Sequence, residues 1–367
     1  MTAIVFSSVL AVVAEGSPVA VRCSLWAAPT GADTNPGTKA SPFASLDKLA
    51  RSLAPGQTGC LPPGATFGKR EAITASGRSG KGRITITTGP GGPRALLANG
   101  VETTQATRHL TLTNLDLTAA NGPVPPNAPG TVVLRGYSTA LTGSVVGPGS
   151  LKEQGRSCVV LDHARAAVIA GNVLHDCNGA SPGLYGAGVL AAISAGARIA
   201  DNVIYGNTGG DGIALSPNAQ FSVARRNLIV DNGGGIYFGG DTKTASRGNR
   251  VEQNVIARSA TFVVHSAYAS SGSPVGSRNV VRGNCIWGSG APTASGIGFS
   301  MAGNRKVNPR VVKRSGGGYR LSSSSPCKFT RGSDGATSAN DILFGWPGSA
   351  RNAAFSPCST PLPATSG

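Results

Sequence analysis

The stretch ADNVIYGNTGGDGIALSPN (200–218) is not unique in its chain. Nearly the same phrase returns as AGNVLHDCNG (170–179), RRNLIVDNGGGIYF (225–238), EQNVIARS (252–259) and RGNCIWGSG (282–290). The leading asparagines, Asn172, Asn202, Asn227, Asn254 and Asn284, are 30, 25, 27 and 30 residues apart. A fainter copy, LTNLDLTA (112–119), places Asn114 two such periods before Asn172.

A period of this length built from short β-branched runs is the mark of a solenoid. In AGVLAAISAGARIADNVIYGN (187–207) one strand alternates Val189 and Ala191 with Leu190 and Ala192, SAG breaks it, ARIA forms a second and VIY a third. Strands this short are unstable alone. Stacked about 4.8 Å apart, each pairs with its copies above and below. Asparagine suits the sharp bend because it tolerates left-handed backbone angles, and stacked copies can bond side chain to side chain. Inward positions then form apolar columns: Leu174, Ile204, Ile229, Ile256 and Ile286 in one, and Val189, Ile213, Ile236, Phe262 and Ile297 in another.

Composition agrees with many strands and little helix. The 367 residues include 53 Gly and 24 Pro, and 13% are charged. The net charge is +17, with arginine supplying 24 of the 33 basic residues, which attracts polyanions. The basic residues are scattered singly without interleaved aromatics, so an acidic polysaccharide fits better than nucleic acid. Seven cysteines, none in a Cys-x-x-Cys pair and none beside clustered histidines, suit disulfides in an oxidising compartment rather than zinc. Cys23 with Cys60 and Cys327 with Cys358 would staple the two ends. Residues 3–14, AIVFSSVLAVVA, have signal-peptide length and are too short to span a bilayer. Cleavage after Ala14 or Ala20 would export a protein that is expected to be a monomer.

The repeats from 105 to 310 resemble the right-handed parallel β-helix of pectate-lyase-like proteins, an all-β solenoid with three short strands per turn. The segment 31–67 resembles the opening of secreted members, with Ser41 as N-cap and Pro42 opening a capping helix whose Leu46, Leu49, Ala50 and Leu53 share one face. The segment 308–327 resembles the stretch with which such proteins leave the coil. The resulting division is an export segment (1–20), a cap with first turns (21–104), the β-helix (105–310) and a C-terminal cap and tail (311–367).

The resemblance also places the asparagine bend between the second and third strands, and a substrate groove along the outer face of the first. First strands are then expected near 131–135, 158–162, 189–192, 213–216, 236–239, 262–265 and 297–300. Their outward side chains include Val133, Arg135, Val160, Asp162, Ala192, Ala214, Ser216, Tyr237, Val263, His265, Gly298 and Ser300, with His163, Tyr185, Asp241 and Lys243 on flanking loops. The implied activity is a polysaccharide lyase. β-Elimination of a uronate needs a neutralised carboxylate, a base and an acid. Lys243, His265, Tyr237 and Arg135 are the catalytic candidates, and His163, Tyr185 and Ser216 are the substrate contacts. Asp162, Asp211 and Asp241 are the candidate carboxylates for calcium, although Asp211 in GGDGI is equally suited to an Asx turn. No organic cofactor is expected. His175 should point outward and stack on Tyr205. The paired aspartates of polygalacturonases and the Asp-Pro-His-Asp motif of alginate epimerases are absent. A non-catalytic binding protein, an epimerase and a glycoside hydrolase therefore stay open beside the lyase.

Overall fold

The structure, a computed structural model, describes residues 21–119, 130–149, 156–177, 186–268, 272–288, 294–315 and 318–327. Among these, three parallel sheets of nine, eleven and ten strands run the length of the molecule. Each turn contributes one strand to each sheet in succession. One turn, for example, gives Ala187–Ala192 to the first sheet, Arg198–Ala200 to the second and Val203–Tyr205 to the third. The coil runs from Thr58–Leu61 to Arg305–Lys306. The export segment and the tail with Cys358 lie outside the described residues. No helix among the described residues is long and apolar enough to cross a membrane.

The interior is dry and aliphatic. Leu174, Ile204, Ile229, Ile256 and Ile286 are direct cross-strand partners in the third sheet, extended upward by Val146 and Leu117. All are at most 2% exposed. At roughly 1.5–3 kcal/mol per buried aliphatic side chain, this column is a principal source of stability. The second expected column holds for Val189, Ile213 and Ile236 and then shifts: Ile236 pairs with Val264, and Val264 with Ala294. Phe262 opposes Gly234 instead, Val263 turns into the core, and Ile297 is 62% exposed. The last stretch is also displaced, since Phe299–Ala302 belongs to the second sheet, so Gly298 and Ser300 do not line the first. The loops entering the first sheet vary in length, so counting from the asparagine does not fix where that strand starts.

Asparagine ladders pin all three corners. Between the second and third strands Asn172 Nδ2 donates to Asn202 Oδ1 at 3.0 Å, and the file continues through Asn227, Asn254, Asn284 and Asn304. Ser144 heads it by donating its backbone N–H to Asn172 Oδ1. Asn207 and Asn232 form a second ladder after the third strand, and Asn249 and Asn279 a third before the second strand. The left-handed residue is the one before the ladder asparagine: Gly143, Gly171, Asp201, Arg226, Gln253 and Gly283 have φ between 54° and 66°. Asn114, with φ 52°, holds that preceding place and so stands one position out of file.

The capping helix is Leu46–Ser52, N-capped by Ser45, whose Oγ accepts from Lys48 N at 3.2 Å. Ser41 is not the cap, because Phe43 is still extended and bridges the strand at Ala27. Leu46, Leu49 and Ala50 plug the first turns. At the other end an antiparallel hairpin, Val311–Lys313 with Tyr319–Leu321, folds back against the outer face of the third sheet and buries Val203, Leu228, Val230 and Val255. Arg258 clasps Asp231 at 2.6 Å and lies 5.2 Å over the Tyr319 ring. As expected, His175 stacks on Tyr205, with ring centroids 5.1 Å apart.

Three disulfides form: Cys23–Cys60, Cys158–Cys177 and Cys285–Cys327. Cys327 therefore joins the coil itself and not Cys358, because the hairpin brings it back onto the third sheet beside Cys285. Such pairing is compatible with an oxidising, extracellular setting.

Candidate functional site

The outer face of the first sheet divides into three parts. Toward its start, Val133, Val160, Leu190 and Ala214 point outward yet are at most 5% exposed, forming a small apolar cluster of their own. Among the described residues no open groove runs over this stretch. Ala214, expected to face outward on the groove, belongs to the sealed part.

The second part is an ion-pair network. Arg135 Nε donates to Asp162 Oδ2 at 2.8 Å, and its Nη1 donates to Glu102 Oε2 at 3.2 Å and to the Thr103 carbonyl. His163 Nδ1 lies 2.6 Å from the other Asp162 oxygen. A bulge makes this possible. Pairing jumps from Leu134–Leu161 to Gly136–Ala164, so Arg135 faces two residues, and His163 takes a φ of 52°. Asp162 is held below the usual carboxylate range: hydrogen bonds and charge from Arg135 and His163 outweigh the desolvation that opposes them. Arg135 is correspondingly raised. The candidate carboxylate binder is thus spent on protein carboxylates. Glu102, its second partner, was passed over in the sequence because it precedes the strong repeats; the alternation in Val-Glu-Thr (101–103) is the signal that marks it as outward.

The third part gathers Asp211, Tyr237, Phe262 and His265 around two glycines. A side chain on Gly234 would strike both the Asp211 carboxylate and the Phe262 ring, so those two groups meet in the space glycine leaves. Phe262 lies 5.0 Å from His265 and 6.5 Å from Tyr237, and Tyr237 lies 6.0 Å from His265. Ser216 and the Tyr237 ring similarly converge above Gly239. The Asp211 carboxyl accepts no hydrogen bond among the described residues, and burial pushes it up to about 7. It therefore exchanges a proton near neutrality, as a general acid or base must. Tyr237 is raised by burial, and then by the Asp211 charge. Phe262, assigned from sequence to the core, is the residue that reasoning missed.

The three calcium candidates do not assemble. Asp162 is taken by Arg135 and His163. Asp241 uses both oxygens within its own loop, accepting from Lys243 N, Thr244 N and Thr244 Oγ1. Asp211 lies two turns and five strand positions from Asp162, roughly 18 Å by strand geometry. Among the described residues no three His, Cys, Asp or Glu side chains group as metal ligands. Lys243 shares Asp241's exposed loop, and Tyr185 lies outside the described residues.

A family model described as the right-handed beta helix region matches residues 149–308. No curated protein matches the chain by sequence. Among solved structures, the complex of XylC with xylose superposes with a TM-score of 0.55 at 12% identity, covering 79% of this chain and 71% of that one. Pectate lyase Pel9A superposes with a TM-score of 0.53 at 14% identity, covering 75% and 78%. Three parallel sheets, stacked asparagines and these matches together make the chain a right-handed parallel β-helix protein, with the coil that a pectate lyase also uses.

Proposed function

We propose that this is an exported carbohydrate-active protein that cleaves an acidic polysaccharide by β-elimination at the Asp211–Tyr237–His265 cluster. The observation that carries the reading is the meeting of the Asp211 carboxyl with the Phe262 ring over Gly234, with the Tyr237 and His265 rings 6.5 and 5.0 Å from that ring; burial pushes Asp211 up to about 7. In the proposed step ionised Asp211 takes the proton on the carbon next to the uronate carboxylate. The electron pair of that C–H bond becomes the new C=C bond, and the glycosidic C–O bond beyond it breaks. The Tyr237 hydroxyl protonates the leaving oxygen. Tyr237 and Phe262 supply faces on which a sugar ring can lie. Neutralisation of the uronate falls to His265 and Lys243, since Arg135 is engaged. The pectate lyase among the structural neighbours lends the reading a precedent for the fold alone.

Glycoside hydrolysis by Asp211 with Asp162 is disfavoured, because their separation far exceeds the roughly 5–10 Å that paired carboxyls need. A binding-only protein is the second reading, favoured by the sealed start of the face. The test is incubation with pectate, alginate and glycosaminoglycans, with and without calcium, following the ultraviolet absorbance of unsaturated uronate ends. Product from wild type and none from Asp211→Asn supports the lyase. Glycan binding without product in any panel overturns it.

A further inference from the structure

The charge of the molecule is not spread evenly. The first-sheet face carries Glu102, Asp162, Asp211 and Asp241 against Arg70, Arg135, Arg156 and Lys243, so the excess of +17 lies elsewhere. The second sheet reveals where. Its outward column reads Val168, Arg198, Val223, Arg250, Val280 in cross-strand register. The corner leading into it stacks Arg165, Ala195, Gln220, Arg247 and Ser277. Its far edge places Arg225, Glu252 and Arg282 in line. Arg165, Arg198, Arg247, Arg250 and Arg282 thus stand on one face, with Arg278 next to Ser277 at its corner; Glu252, the only acid there with a solvent-reaching side chain among the described residues, accepts two hydrogen bonds from Arg282. Asp201, the other acid of these segments, is 2% exposed and clasped by Arg226.

Among the described residues this face is also uncovered. The hairpin covers the third sheet and apolar side chains seal the start of the first, while nothing described packs on the second. An open depression of about 460 Å³ lies on it between Arg225, Glu252, Gln253 and Arg282.

We propose that the second-sheet face is a docking strip for a linear acidic polysaccharide, separate from the first-sheet cluster. Within its columns arginines recur two turns apart, Arg198 to Arg250 and Arg225 to Arg282, about 10 Å along a straight axis, a pitch comparable to a disaccharide. Guanidinium forks suit carboxylate and sulfate groups. Nucleic acid is less suited, because base stacking wants free aromatic faces, whereas Phe221 lies under Arg247 at 5.7 Å and Tyr137, beside Arg165 in the corner file, is packed edge-on with His109. Anionic bilayers are less suited because the intervening side chains are short half-buried valines. The proposal shares with the preceding reading only the identity of the polymer.

The test measures binding of fluorescent polygalacturonate, alginate and heparin, alongside single-stranded DNA and anionic vesicles. It uses wild type, Arg165→Gln/Arg250→Gln/Arg278→Gln, and a charge-matched control, Lys39→Gln/Lys69→Gln/Lys313→Gln. All six positions are exposed. The arginine triple should bind at least one of the acidic polysaccharides on the order of tenfold more weakly at low salt and with a flatter salt dependence, the control less than twofold. Binding is read whether or not any uronate is cleaved, so the loss in the arginine triple stands or falls apart from the lyase reading. Equal losses in both triples, no loss in the arginine triple, or tighter wild-type binding to DNA or vesicles than to every polysaccharide overturns the proposal.

Discussion

Asn202 Nδ2 donates to Asn227 Oδ1 at 2.9 Å, and the same oxygen accepts the backbone N–H of Asn202 at 3.1 Å. One side-chain oxygen thus closes two donors of the turn before it, while Asn227 Nδ2 serves the Ile199 carbonyl and Asn254. Asn227→Ala strands both Asn202 donors in a site that is 0–1% exposed, at a cost of about 2–4 kcal/mol. Asn227→Asp keeps the acceptor but buries a charge, so its deficit should shrink as pH falls. Chemical denaturation across pH checks both.

The same corner holds a buried ion pair. Arg226 Nε and Nη2 grip Asp201 at 2.6 and 2.8 Å, with both side chains at most 2% exposed. Arg226→Met leaves a buried carboxylate and should cost about 3–5 kcal/mol, whereas Arg226→Met/Asp201→Ala should regain much of it. A double-mutant cycle by thermal denaturation reads the difference; a double variant as unstable as the single would refute it.

Asp211 makes stability fall as pH rises. Its native pKa of about 7 exceeds an unfolded value of about 3.9, so the folded state holds the extra proton and loses stability between those limits. Asp211→Asn should match wild type below about pH 4 and be more stable above pH 7, by an amount on the order of 4 kcal/mol. In the proposed reaction the same variant should lose about 100-fold or more in kcat. A stabilised variant with lost turnover is the expected signature.

Cys285–Cys327 closes a sequence separation of 42 residues, a constraint of about 4 kcal/mol in the chain-entropy account. Cys285→Ser/Cys327→Ser should loosen the hairpin over Val203, Leu228, Val230 and Val255. Dye binding to exposed apolar surface and faster proteolysis around 311–321 should report it, with the coil's circular dichroism retained.

The sequence displays the coil plainly, because each third-strand residue is fixed two or three places after an asparagine. Leu174 through Ile286 therefore fall into register without error. Legibility fades where that ruler ends. Phe262 and Ile297 are misplaced because the loops before the first strand differ in length. Asn114 is misplaced because Asn, Asp and Gly all suit the left-handed place beside the ladder. The Glu102–Arg135–Asp162 network joins residues 27 and 33 apart through a bulge that no local pattern announces. The shared space over Gly234, which sets Asp211 against Phe262, depends on an absent side chain.

The asparagine file also has a direction. From Asn172 to Asn284 each amide nitrogen donates one bond to the asparagine of the turn that follows and another back to a carbonyl of the turn before. A nascent polypeptide emerging from its amino end accordingly presents donors whose acceptors are synthesised 20 to 30 residues later. The newest storey thus gains its last ladder bond only when its successor arrives, and the file ends at Asn304, whose amide turns back to the Val281 carbonyl.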